Sequence, residues 1–93
     1  MSVIVEIPTP LRRFTGETGE VSVEGRTVGE ALGKAVEAHP SLKRHLYTDE
    51  GRLRSFVNVF VNDEDIRHLE QENTPIQDGD HVSIIPSIAG GRR

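Results

Sequence analysis

Val3, Val5 and Ile7 alternate with Ile4 and Glu6, the period-two pattern of a strand, and Pro8 and Pro10 end it. A second alternation, Val21-Ser22-Val23-Glu24-Gly25, follows two glycines, Gly16 and Gly19. The pair reads as a hairpin joined by a loose, arginine-rich connection around Leu11-Arg12-Arg13-Phe14. The period then changes. Val28, Leu32, Ala35, Val36 and His39 recur at helical spacing, so one stripe of a helix faces a core. Thr27 with Glu30 fits a capping box at its start, and Pro40 stops it. Gly29 and Gly33 inside the helix are read as tolerated weak points, with close approach to the sheet as the alternative.

Residues 41–54 are polar, anchored by Leu42, Leu46 and Leu53, with a short helical turn over 42–46. Phe56-Val57-Asn58-Val59-Phe60-Val61-Asn62 is the clearest strand, with its valines on one face. Asn62-Asp63-Glu64-Asp65 is a turn, and Ile66 is expected to start a short return strand. Asp78-Gly79-Asp80 turns the chain into a last strand, His81-Val82-Ser83-Ile84-Ile85-Pro86. This order predicts a small α+β roll: a mixed sheet of four to five strands, one main helix across it, and first and last strands paired in parallel. The expected division is a domain over 1–88 and a flexible tail over 89–93.

Composition narrows the chemistry. Only 34% of the 93 residues are hydrophobic and four are aromatic, so the core must be small and aliphatic. With no cysteine, a disulfide scaffold, a thiolate metal site and a thiol nucleophile are all excluded. Fifteen acidic against eleven basic residues argue against binding nucleic acid through its phosphates. No apolar run approaches a membrane span and no targeting segment opens the chain, so a soluble cytoplasmic protein without membrane partners is expected. His39, His45, His68 and His81 lack metal-ligand spacing, and Asp63, Glu64 and Asp65 read as a charged turn rather than a cation loop. Ser41, Ser55, Ser83 and Ser87 have no nucleophile-elbow context. The remaining signal is Ala89-Gly90-Gly91, placed a few residues beyond the last strand. Glycines make a thin tail that can enter a cleft where any Cβ would clash.

Three blocks resemble the ubiquitin-like (β-grasp) sulfur carriers of the MoaD/ThiS type, nearest their CysO-like branch. They are Val5-Glu6-Ile7-Pro8-Thr9, the stretch from Phe56 to Arg67, and the stretch from Asp78 to Gly91. Together they span nearly the whole chain. The third is the most specific, since it joins turn, strand and diglycine in the family's order.

The resemblance implies a carrier rather than an enzyme. A ubiquitin-activating-enzyme-like adenylyltransferase would use ATP to adenylate the Gly91 carboxylate, and sulfur would displace AMP to leave a thiocarboxylate. A sulfur-accepting synthase would then consume it, in making cysteine or another sulfur metabolite. The carrier would bind no cofactor or metal. The chain departs from the family in continuing to Arg92 and Arg93. Either a JAMM-type metalloprotease trims the Gly91–Arg92 bond, or the arginines are foreign to the natural protein. A ubiquitin-like modifier conjugated through Gly91, and a small subunit of a molybdopterin-synthase-like complex, are the alternatives. The expected docking surface is the sheet face away from the helix. There Ile4, Phe60 and Ile85 are expected in a row leading to Ile88, unless residues 42–53 cover them as a second cluster.

Overall fold

The computed structural model describes residues 2–86. Five strands form one mixed sheet: β1 (Ser2–Glu6), β2 (Glu20–Glu24), β3 (Val57–Val61), β4 (Glu64–Asp65) and β5 (His81–Pro86). Their order is β2-β1-β5-β3-β4. β1 pairs with β5 in parallel, and every other pairing is antiparallel. The parallel pair at the centre follows from the long crossover between first and last strands. Helix α1 (Val28–Ala38) lies across one face. A second short helix, α2 (Lys43–Leu46), follows a 3₁₀ turn, Pro40–Leu42.

One apolar cluster fills the space between sheet and helix. Val3, Val5, Ile7, Val57, Val59, Val82 and Ile84 meet Val28, Ala31, Leu32 and Ala35 there, all buried. Val61 is only half-buried at the margin. Leu42 and Leu46 are buried in this same cluster, so residues 42–53 pack on the helix side and leave the other face uncovered. His39 was expected on the buried stripe, but it leaves the helix as its C-cap, with a non-helical backbone.

Local chemistry explains the element ends. Thr27 Oγ1 accepts from the Glu30 amide at 3.2 Å, and the Glu30 carboxylate accepts from the Arg26 amide at 2.8 Å. The capping box therefore closes one residue earlier than the Thr27 amide. The return strand differs from expectation. β4 is Glu64–Asp65, and Ile66 instead opens a 3₁₀ turn, Ile66–His68. The reason is the tight link: Asn62 and Asp63 both take positive φ, 48° and 77°, and Val61 pairs directly with Glu64. A two-residue turn of that kind starts the return at Glu64. Asp65 then accepts from the Arg67 amide, which bends the chain away and buries Ile66.

Two further expectations are corrected. The link after β1 is not loose: Thr9–Phe14 is a 3₁₀ segment, with Arg12 Nε donating to the Ile7 carbonyl at 3.0 Å. Buried Thr15 closes it by donating to the Thr18 carbonyl at 2.8 Å. Nor is Gly29 merely tolerated. A Cβ there would lie 3.2 Å from the Glu72 carbonyl oxygen, so glycine lets the 3₁₀ turn Gln71–Asn73 approach the helix. The close neighbour is that turn rather than the sheet. Gly33 faces open space, as a tolerated weak point should.

Candidate functional site

The expected attachment residues Gly90 and Gly91, with Ala89, Arg92 and the docking residue Ile88, lie outside the described residues. What the fold places is their root. β5 is a central strand and ends at Pro86, opposite Val57 of β3 and three residues beyond its last pair with β1, Glu6 with Ser83. The last described residue thus closes a central strand rather than an edge strand.

The sheet face opposite α1 is built by the outward residues of each strand. The register does not put Ile4, Phe60 and Ile85 in one row. Ile4 lies beside His81, Phe60 opposite Ser83, and Ile85 opposite Asn58. Four residues along the strands separate the Ile4 level from the Ile85 level, about 13 Å at strand rise. Between them sits a polar group. Glu6 meets His81 Nδ1 at 2.5 Å and accepts from Ser83 Oγ at 3.1 Å. The expected apolar row is thus interrupted, because a parallel register sets Glu6 beside Ser83 and leaves Ile4 one level back.

The apolar part of the face gathers near the tail root. Ile85 is 49% exposed and Phe56 is 41% exposed, and Phe60 lies half-buried diagonally from Ile85. Phe56 was not among the expected docking residues. The signal for it was its parity with Phe60 in the strand pattern. Beside this patch Asp65 pairs with Arg67 at 2.8 Å, and Arg67 also donates to Asn58 Oδ1. The Arg67 guanidinium, bonded to the Asp65 side chain, holds that carboxyl down at about 2. A cleft of about 660 Å³ opens at the same end of the sheet, lined by Pro8, Arg12, Glu20 and Ile85 among others.

No group of three potential metal ligands occurs among the described residues. No helix among them is long and apolar enough to cross a membrane. On this face an exposed apolar patch, Ile85 and Phe56 with half-buried Phe60, adjoins the end of β5.

The ThiS family profile matches residues 5–91. The chain belongs to the ThiS family. Among its curated relatives, the "Sulfur carrier protein CysO" of Mycobacterium tuberculosis is 41% identical over 93 residues, covering 98% of this chain and all of the relative. "Small archaeal modifier protein 1" of Haloferax volcanii is 36% identical over 75 residues, covering 80% of this chain and 82% of that one. Among solved structures, the Amycolatopsis orientalis BexX/CysO complex contains a chain that superposes with a TM-score of 0.86 at 40% identity. That match covers 96% of this ThiS-family chain and 99% of the other. The β-grasp fold expected from the sequence is the fold observed, with its mixed five-stranded sheet and helices packed across it.

Proposed function

We propose that this chain is a sulfur carrier whose Gly91 carboxylate, freed of Arg92 and Arg93, is adenylated and converted to a thiocarboxylate. The observation that carries the reading is the match of the family across residues 5–91, which includes the diglycine. A free carboxylate is a poor acyl donor, and adenylation gives it AMP as leaving group. Attack by a sulfur nucleophile at the acyl carbon expels AMP and leaves sulfur on the backbone terminus. This fits a chain without cysteine, since the cargo needs no side-chain thiol. The carrier acts as co-substrate, and ATP is consumed by the activating partner. That partner is a ubiquitin-activating-enzyme-like adenylyltransferase, docking on the sheet face around Ile85, Phe60 and Phe56. A synthase takes the sulfur, and a metalloprotease of the JAMM type removes the two arginines.

The test is intact-mass spectrometry of a Gly91-terminated chain after incubation with an activating enzyme of the same organism, ATP and sulfide. The expected product has one sulfur in place of one oxygen. Conjugation to lysines of other proteins, with no thiocarboxylate on the free chain, would favour the modifier reading. The archaeal modifier relative keeps that second reading specific.

A further inference from the structure

Arg12 lies outside the apolar patch, yet its placement is closely controlled. Its Nε donates to the Ile7 carbonyl at 3.0 Å, which fixes the plane of the guanidinium. Gly19 makes room for it: a Cβ there would lie 3.0 Å from the Arg12 Cζ and 3.1 Å from one terminal nitrogen. The side chain is half-buried and lines the cleft at the tail root, with Pro8 and Ile85. Among the described residues its two terminal nitrogens meet no carboxylate and no carbonyl. The fork of donors is therefore held in position and left open.

Three carboxylates, Glu6, Glu20 and Asp63, line the same cleft without closing on Arg12. Both oxygens of Glu6 are engaged, one with His81 and one with Ser83. Glu20, at the start of β2, and Asp63, in the turn between β3 and β4, are exposed, and neither forms an ion pair with Arg12. A half-buried donor left unfilled costs more than an exposed acceptor. A planar guanidinium with one edge tethered matches a carboxylate through its other edge.

We propose that Arg12 receives a carboxylate of the activating partner, an Asp or Glu side chain, in the cleft beside the end of β5. This rests on the sulfur-carrier reading. It adds the charge of the partner group that reads the carrier. The geometry makes Arg12 a specificity residue for docking, next to the apolar contact of Ile85. Glu20 acts in the opposite sense, as a nearby like charge that a partner carboxylate must approach.

The test is ATP–pyrophosphate exchange by the activating enzyme of the same organism, with Gly91-terminated carriers at varied concentration. Arg12→Gln keeps an N–H at the Nε position for the Ile7 carbonyl and removes the charge. It should raise the carrier KM about tenfold, leave kcat within about twofold and leave the melting temperature unchanged. Glu20→Gln should lower KM, and added salt should weaken wild-type docking more than that of Arg12→Gln. An unmoved KM overturns the proposal. So does the opposite pair of signs, which would mean a basic partner group. A KM change that tracks a fall in melting temperature would make Arg12 structural and overturn it too. If the wild-type chain supports no exchange, the sulfur-carrier reading fails first and this inference falls with it.

Discussion

Glu6 on β1 meets the Nδ1 of His81 on β5 at 2.5 Å, although 75 positions separate them in the chain. The same carboxylate accepts from Ser83 Oγ, so one side chain ties two neighbouring outward residues of the adjacent strand. The pair lies at the centre of the face, yet both side chains are over two-fifths exposed. Exposed pairs are screened and contribute at most about 1 kcal/mol.

A double-mutant cycle with Glu6→Gln and His81→Ala should therefore give a coupling below about 1 kcal/mol in urea unfolding. A coupling of twice that would make the pair a stabilising element rather than one that orients the face.

The two helix glycines should respond in opposite ways to alanine. Gly33 faces open space, so Gly33→Ala gains helix propensity and should stabilise by up to about 1 kcal/mol. Gly29→Ala sets a methyl 3.2 Å from the Glu72 carbonyl oxygen, a backbone atom that cannot swing away. Its propensity gain should be cancelled or reversed. Equal stabilisation of both variants, read from thermal midpoints, would mean that the turn at Gln71–Asn73 yields freely.

This contrast marks what the sequence carried. Strand parity, the capping box and Pro40 made the sheet, α1 and the parallel central pair legible, because each is written in residues adjacent along the chain. The close approach at Gly29 was not, since Glu72 is brought there by a loop. That loop is pinned by the Val28 amide to the Thr74 carbonyl and the Ile76 amide to the Arg26 carbonyl, both at 3.0 Å. The stagger of Ile4, Phe60 and Ile85 was equally hidden. Parity tells which face a residue shares, whereas the level along that face depends on register between distant strands. The diglycine was legible as a motif, but the cleft beside its root was not. Arg12 enters that cleft through a tether to Ile7 that a polar, arginine-rich stretch does not announce.

His45 should give stability a pH dependence. Its ring stacks on Phe14, with centroids 4.2 Å apart, and its Nε2 is buried without a partner. Burial first, then the charges of Arg44, Arg54 and Arg13, lower its pKa below the ordinary 6.5. The unfolded chain thus binds more protons than the folded one just below that value. The contribution is fully present above 6.5, is lost as pH falls through 6.5 toward the folded value, and then levels off. In chemical denaturation, the stability gap between wild type and His45→Gln should shrink on acidification. A gap that stays constant would show that His45 does not titrate differently on folding.

The arginine extension should block activation. In the full-length chain the Gly91 carboxyl is tied up in a peptide bond to Arg92. Side by side with the activating enzyme, ATP and sulfide, only the Gly91-terminated form should gain sulfur by intact mass. Equal conversion of both forms would place the reactive carboxyl elsewhere.

Gly91→Val in the trimmed chain should abolish that reaction, since a side chain at the last position obstructs a narrow cleft. It should shift stability by no more than about 0.5 kcal/mol, since position 91 falls five residues along the chain past the end of β5. Normal reaction of the variant would mean that the partner's cleft is wide.

The docking patch should separate into one residue that serves the partner and one that serves both partner and fold. Ile85 is half-exposed on the face away from the core and its backbone pairs with Asn58 of β3, so its side chain can be cut back without opening the core. Ile85→Ala should cost little stability, about 0.5 kcal/mol, while weakening docking of the activating enzyme by about 1–2 kcal/mol. Phe60 is different. It lies half-buried between Ser83 on β5 and Asp65 on β4, and it shares the face with Ile85 on a diagonal. Truncating it removes contacts within the sheet as well as those offered to a partner, so Phe60→Ala should lower both the melting temperature and docking. Calorimetry of the wild type and both variants with the activating enzyme, beside their thermal melts, distinguishes the roles. If Ile85→Ala docks normally while Phe60→Ala loses affinity only in proportion to its stability, the face is not the docking surface. The partner would then have to hold the carrier through the tail and the Arg12 cleft alone.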